Sequence, residues 1–223
     1  MEIIPNLHRI PRVMANSYLI LDADGLTLID TGMPGNANKI LQYVRDLGRA
    51  PGDLRRILIT HSDIDHVGSL AALQAASGAR VYSSAIEAEA IAAGHPSRTP
   101  SRGGLQGWVF RLMGRFFKAQ PARVDETLSD GQVVPALGGL RVVSTPGHTP
   151  GHISLFAPSV GVLFAGDSLT SQNGTLRGSR AVNTWDRAKA DEAVHAQAAL
   201  GARIVCAGHG PVVRDAADKF PPP

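Results

Sequence analysis

Within six residues the chain sets four side chains able to bind a metal: His61-Ser62-Asp63-Ile64-Asp65-His66. Imidazole and carboxylate are ligands that zinc, iron and manganese accept. A tight turn could aim His61 and Asp63 at one ion, and Asp65 and His66 at another. A single His and Asp here would read as a polar surface turn, since Ser and Asp cap helices. Four such residues directly after an apolar strand outweigh that reading. Three more residues share the setting. His148 lies in Thr145-Pro146-Gly147-His148-Thr149-Pro150-Gly151-His152, Asp167 follows Gly166, and His209 stands between Gly208 and Gly210. Each alone would be a solvated loop residue; jointly the four segments carry far more. The neighbouring glycines permit unusual backbone angles and close approach to an ion.

The elements that must position these residues are short. Residues 17–21 and 26–30 read as strands around the turn signal Asp22-Ala23-Asp24-Gly25, and so as a hairpin. Ile40, Leu41, Val44 and Leu47 recur at helical spacing over 38–47, with Gly48 as a stop. Strands are expected at 56–60, 80–82, 140–144, 153–156, 160–165 and 203–207, and helices at 68–76, 85–93 and 186–200. On this reading His61, His148, Asp167 and His209 each follow the end of an apolar strand, where a rigid scaffold points loop residues at one spot.

The bulk properties are those of a globular chain. The chain has 223 residues, 43% hydrophobic and 18% charged, which suits a single domain over 1–223. One cysteine, Cys206, excludes an internal disulfide, and its place in an apolar strand reads as packing. The first residues carry no basic, apolar leader, and no run approaches the roughly 18 apolar residues of a membrane span; a cytoplasmic protein is expected. Lys and Arg exceed Asp and Glu by 22 − 19 = 3. Six of these bases, with no acid among them, fall between Ala90 and Val124.

The motifs resemble those of the metallo-β-lactamase superfamily, in particular its glyoxalase II and acyl-homoserine lactonase branch. The likeness runs in order through Leu28-Ile29-Asp30-Thr31-Gly32, Thr60-His61 to His66-Val67-Gly68, Thr145 to His152, Phe164-Ala165-Gly166-Asp167 and Gly208-His209-Gly210. It implies an α/β fold, an αββα sandwich of two mixed sheets flanked by helices. It implies two divalent transition-metal ions, zinc first, with iron or manganese as alternatives. His61, the residue at 63 and His148 would form one metal site. Asp65, His66 and His209 would form the other, and Asp167 would bridge them. Asp30 would hold the ligand loop by hydrogen bonds, and His152 would be structural. One departure stands out. The family pattern is His-x-His-x-Asp-His, and here Asp63 replaces the second His. A carboxylate still ligates, but makes the first site harder and more anionic, which favours iron or manganese more than three imidazoles would. Alternatively, Asp63 points away and that site is weak or empty.

The reaction implied is hydrolysis of an ester, lactone, thioester or amide of a small molecule by a metal-bound hydroxide. The second metal, with Asp65 and His66, would steady charge on the leaving group, and Asp167 would hold the bridge and could take up a proton. No G-x-S-x-G pattern offers a serine route. The basic insertion at about 94–123 has an amphipathic helical look. Trp108, Leu112 and Phe116 recur every four residues beside Arg111 and Arg115. It reads either as a helix packed on the body with solvated charges, or as a substrate lid gripping an acyl chain or an acidic group. Homodimer or membrane-surface contact are further uses. Two other functions compete: an iron-dependent persulfide dioxygenase-like enzyme, and a nuclease. No nucleic acid is expected as partner, because no aromatic-basic stacking platform occurs outside the insertion.

Overall fold

The computed structural model describes residues 1–98 and 118–221. Trp108, Arg111, Leu112, Arg115 and Phe116, expected to form the lid, lie outside the described residues. Alternation of apolar residues on the strands builds two sheets. The first holds β1 (Glu2–Ile4), β2 (Leu7–Arg9), β3 (Tyr18–Asp22), β4 (Gly25–Ile29), β5 (Leu54–Leu58), β6 (Arg80–Ser84) and β7 (Glu126–Leu128), in that spatial order. Its first four strands are antiparallel, with β3 and β4 the expected hairpin, and β4 to β7 run parallel. The second sheet is ordered β14 (Val213–Arg214), β13 (Ile204–His209), β11 (Val162–Gln172), β10 (Ile153–Ala157), β9 (Leu140–Ser144), β8 (Val133–Val134), with β12 (Thr175–Gly178) also paired to β11. Only β11 and β13 are parallel there.

Side chains of period two divide each strand between two cores. Tyr18, Ile20, Ile29 and Leu58 meet Val142, Leu155, Val162 and Phe164 between the sheets. Leu19, Leu28, Ile57 and Val81 face the other way, onto Ile40 and Val44 of α1 (Ala37–Asp46), Leu70 and Leu73 of α3 (Leu70–Ser77) and Ile91 of α4 (Ala85–Ala93). Leu163, Ala165 and Val205 pack against Val194 of α5 (Arg187–Ala198). The layers are therefore helix, sheet, sheet, helix, as the motifs implied. Full burial of each Leu or Ile contributes about 1.5–3 kcal/mol. The helix ends follow local chemistry. Ser84 Oγ caps α4, and Gly94 ends it at φ +70°. The Asp186 carboxylate caps α5 through Lys189 N–H, so Asp186 lies just outside the helix.

One expectation needs correcting. The strand at 160–165 does not stop before Asp167. β11 continues to Gln172, because β12 and the end of β13 supply hydrogen-bond partners to its polar half. Asp167 thus projects from within a long strand, and His209 is the last residue of β13 rather than a residue beyond it.

Candidate metal centre

Ile59, Thr60 and His61 are fully buried and carry the chain from β5 into the cluster. Asp63 precedes the single-turn helix α2 (Ile64–Val67). Its carbonyl accepts from His66 and Val67 N–H, but its side chain caps nothing. The carboxylate is thereby left to the cluster, against the surface-turn reading. Asp30, at φ +56° just after β4, ties this segment down. Thr60 N–H and Oγ1–H donate to it at 2.9 and 2.8 Å, and its Oδ2 lies 2.8 Å from His66 Nδ1. His66 Nδ1–H therefore donates outward to Asp30, leaving Nε2 as the atom facing the cluster. Thr60 Oγ1 has spent its proton on Asp30, so at 3.0 Å from His61 Nδ1 it accepts. His61 likewise faces the cluster with an Nε2 lone pair.

The other ligand candidates come from the second sheet. His148 Nδ1 lies 2.8 Å from Ser179 Oγ, just beyond β12. Asp167 N–H donates to His152 Nε2 at 3.0 Å, which requires His152 to carry its proton on Nδ1, 2.8 Å from Thr145 Oγ1. Burial, with His61 and His148 nearby, holds the His152 pKa well below its ordinary value, so this neutral tautomer is the one present. His152 thus serves the backbone of Asp167. Gly208 has a steric reason: a Cβ there would lie 2.1 Å from Asp167 Oδ1.

The seven side chains converge. The ligand atoms of His61, Asp63 and His148 lie within 4.8 Å of one another, as do those of Asp65, His66 and His209, and those of His61, His66 and Asp167. Asp167 spans the groups: Oδ1 is 3.2 Å from His66 Nε2, and Oδ2 is 3.3 Å from His209 Nε2 and 3.7 Å from His148 Nε2. Despite that proximity, His61 Nε2, His66 Nε2 and Asp167 Oδ1 are buried without a hydrogen-bond partner among the described residues. Three buried ligand atoms left without a hydrogen-bond partner at one point are costly, and a divalent ion fits that donor set. The charges fit as well. Burial opposes ionisation of Asp63 and Asp167, yet the surrounding imidazoles, with Arg98 at Asp63, hold both well below the usual carboxylate range. Asp65 is lowered too, chiefly by His209 against its burial. All three are anionic at neutral pH. Cys206 is fully buried and its thiol is pushed up by that burial, which removes it as a nucleophile.

Several residues at the centre gave no signal in the sequence. Glu87 on α4 is fully buried. Its carboxylate accepts from Ser62 N–H (2.9 Å), Thr149 Oγ1–H (2.6 Å), Gly151 N–H (3.0 Å) and Ser97 Oγ–H (2.8 Å). It fastens the His61–His66 loop to the His148 loop. Ser84-x-x-Glu87 matches a capping box, and that ordinary pattern hid a tether. Arg98 pairs with Asp63 and donates to the Asn183 carbonyl. A cavity of about 530 Å³ opens over the cluster, with Thr170, Arg177, Arg180 and Asn183 also in its lining.

A family model described as the metallo-beta-lactamase superfamily matches residues 10–209. The chain is similar to the "probable metallo-hydrolase YflN" of Bacillus subtilis, with 30% identity over 94% of this chain and 85% of that one. It is 34% identical over 142 residues to the hydroxyacylglutathione hydrolase of Albidiferax ferrireducens, covering 62% of this chain but only 42% of that enzyme. Among solved structures it resembles the metallo-beta-lactamase family protein TTHA1429 from Thermus thermophilus, with a TM-score of 0.76 and 24% identity over 98% of this chain and 78% of that one.

Proposed function

The chain belongs to the metallo-β-lactamase superfamily, and on that premise we propose that it hydrolyses a small acidic thioester or ester with two divalent ions held by His61, Asp63 and His148, and by Asp65, His66 and His209, with Asp167 between them. The observation that carries this reading is the set of buried, unpartnered ligand atoms on His61, His66 and Asp167. Ions bound there would lower the pKa of a shared water toward neutrality and polarise a substrate carbonyl. The chain's own residues do the rest. Asp30 and Thr60 hold the His66 and His61 rings by Nδ1, which leaves Nε2 of each facing the cluster, and Ser179 holds the His148 ring by Nδ1. Asp167, which lines the cavity over the cluster, would take up the proton of the attacking water. Arg177 and Arg180 make no ion pair among the described residues, and offer the cavity wall to an anionic group. The likeness to a hydroxyacylglutathione hydrolase, although that enzyme is more than twice as long as the matched stretch, favours a thioester over a lactone.

The test is elemental analysis of the purified protein, then a panel of esters, lactones and thioesters. Asp167→Ala and Asp63→His serve as controls. Activity lost in the first and retained in the second supports the reading; a protein that binds no transition metal even after reloading overturns it. One observation favours a second reading. His61, His66 and Asp167 form a group of two imidazoles and one carboxylate, the set that iron oxygenases use. Oxygen uptake with a persulfide, in place of hydrolysis, would identify that chemistry.

A further inference from the structure

Asp63 is shared. Its Oδ2 faces the cluster, 3.0 Å from His148 Nε2 and 3.7 Å from His61 Nε2. The same oxygen is held by Arg98 Nη2. The guanidinium is not a loose surface group: its side chain is only 17% exposed, and Nη1 donates to the carbonyl of Asn183. The backbone beneath it is pinned as well. Ser97 N–H donates to Ser62 Oγ at 2.8 Å, and Ser97 Oγ–H to the buried Glu87 carboxylate at 2.8 Å. Ser62 is the residue before Asp63, so the arginine and its partner are held in register from both sides.

Among the described residues, the other half of the centre has no such competitor. Asp65 and Asp167 are paired with His209 and His66, and no Lys or Arg among the described residues bridges to either. The two groups of ligands are thus unequal in one respect. A cation already satisfies the carboxylate of one group, and would repel a second cation brought to the same oxygen.

We propose that Arg98 competes with metal for Asp63, so that the two metal sites fill in order: the Asp65–His66–His209 site binds first and tightly, and the His61–Asp63–His148 site fills only as Arg98 gives up the carboxylate. This rests on the metal-centre reading above and adds to it a built-in rank between the sites. It also gives the substitution at position 63 a use. A histidine there would offer no charge for an arginine to hold, whereas an aspartate can be held or released.

The test is calorimetric titration of zinc into the chelator-treated protein, repeated with cobalt(II), whose absorption reports coordination at each step. The wild type should bind one ion at least ~10-fold more tightly than a second, and Arg98→Met, which keeps the aliphatic stem, should strengthen the weaker step by about 10-fold or more while leaving the stronger one unchanged. In Asp63→Asn the same arginine substitution should have no effect on the weaker step, because the contested charge is gone. Circular dichroism identifies any variant that fails to fold, and Arg98→Gln then replaces it. Two equal, tight steps in the wild type, or a weaker step that ignores Arg98, overturns the proposal and leaves the metal centre standing. Failure of every folded form to bind an ion overturns both.

Discussion

At the scale of single residues, protons and metal ions contend for the same atoms. Asp167 and Asp65 raise His209 to about 9 in the metal-free protein. Burial opposes charge on His66, but Asp167 and Asp30 outweigh it and raise that pKa well above its ordinary value. A group raised on folding contributes its stability in full below the unfolded value, and loses it as pH climbs through the folded value. The metal-free protein should therefore show a melting temperature that falls between roughly pH 6.5 and 9. Calorimetry in buffers of different ionisation enthalpy should also detect protons released on zinc uptake, more of them at pH 7 than at pH 9.5. Equal release at both would contradict these pKa directions. Glu87 makes a separate prediction. Its removal leaves the Ser62 and Gly151 N–H groups buried without acceptors, at about 1–3 kcal/mol each. Glu87→Ala should lower the unfolding free energy of the metal-free protein by about 2–5 kcal/mol in urea titrations, with Glu87→Gln losing less. The ligand candidates were legible because imidazoles and carboxylates are scarce at such density. Glu87 was not, because a carboxylate in the first turn of a helix is ordinary until its partners from other loops are known.

At the scale of elements, the β11–β12 hairpin lines the cavity over the cluster. Arg177 is registered opposite Thr170, which in turn pairs with His209. That sets the Arg177 backbone two strand spacings, roughly 10 Å, from that of His209. Arg177→Ala should raise KM for a carboxylate-bearing ester about 10-fold or more, and leave a neutral ester of the same alcohol nearly unchanged. A uniform effect on both esters would remove the arginine from recognition. The hairpin also marks where sequence reading stops. Apolar periodicity located β3, β4, β9, β10, α1 and α4 to within a residue or two. It ended β11 at Ala165, because Asp167 to Gln172 are mostly polar; pairing with β12 and β13, not hydrophobicity, makes them strand. The strands β1, β2, β7, β8 and β14 have two or three residues each. Such lengths hold no period to read, and these segments are extended because a neighbouring strand makes them so.

At the scale of the whole molecule, metal should act as a ligand of the folded state. Ions that bind only the native form stabilise it by about 2.7 kcal/mol at a free concentration 100 times Kd. Removal by chelation should therefore lower the melting temperature, and zinc should restore it in Asp63→His but not in Asp167→Ala. Unchanged melting on chelation would mean that the cluster is held by its own hydrogen bonds. The family was legible at this scale because five motifs occur in order along nearly the whole chain. The substrate was not, because the cavity over the cluster is lined by residues such as Arg177 and Asn183 that carry no motif.

The order of the strands has one more consequence. All of the first sheet comes from residues 2–128 and all of the second from residues 133–214. His61, Asp63, Asp65 and His66 belong to the first half, and His148, Asp167 and His209 to the second. Each of the three ligand groups draws from both. Neither half owns a complete ligand group, so the cluster lies on a seam. A chain cut between residues 128 and 133 would yield two pieces with a whole sheet apiece, and metal uptake would report the moment they rejoin.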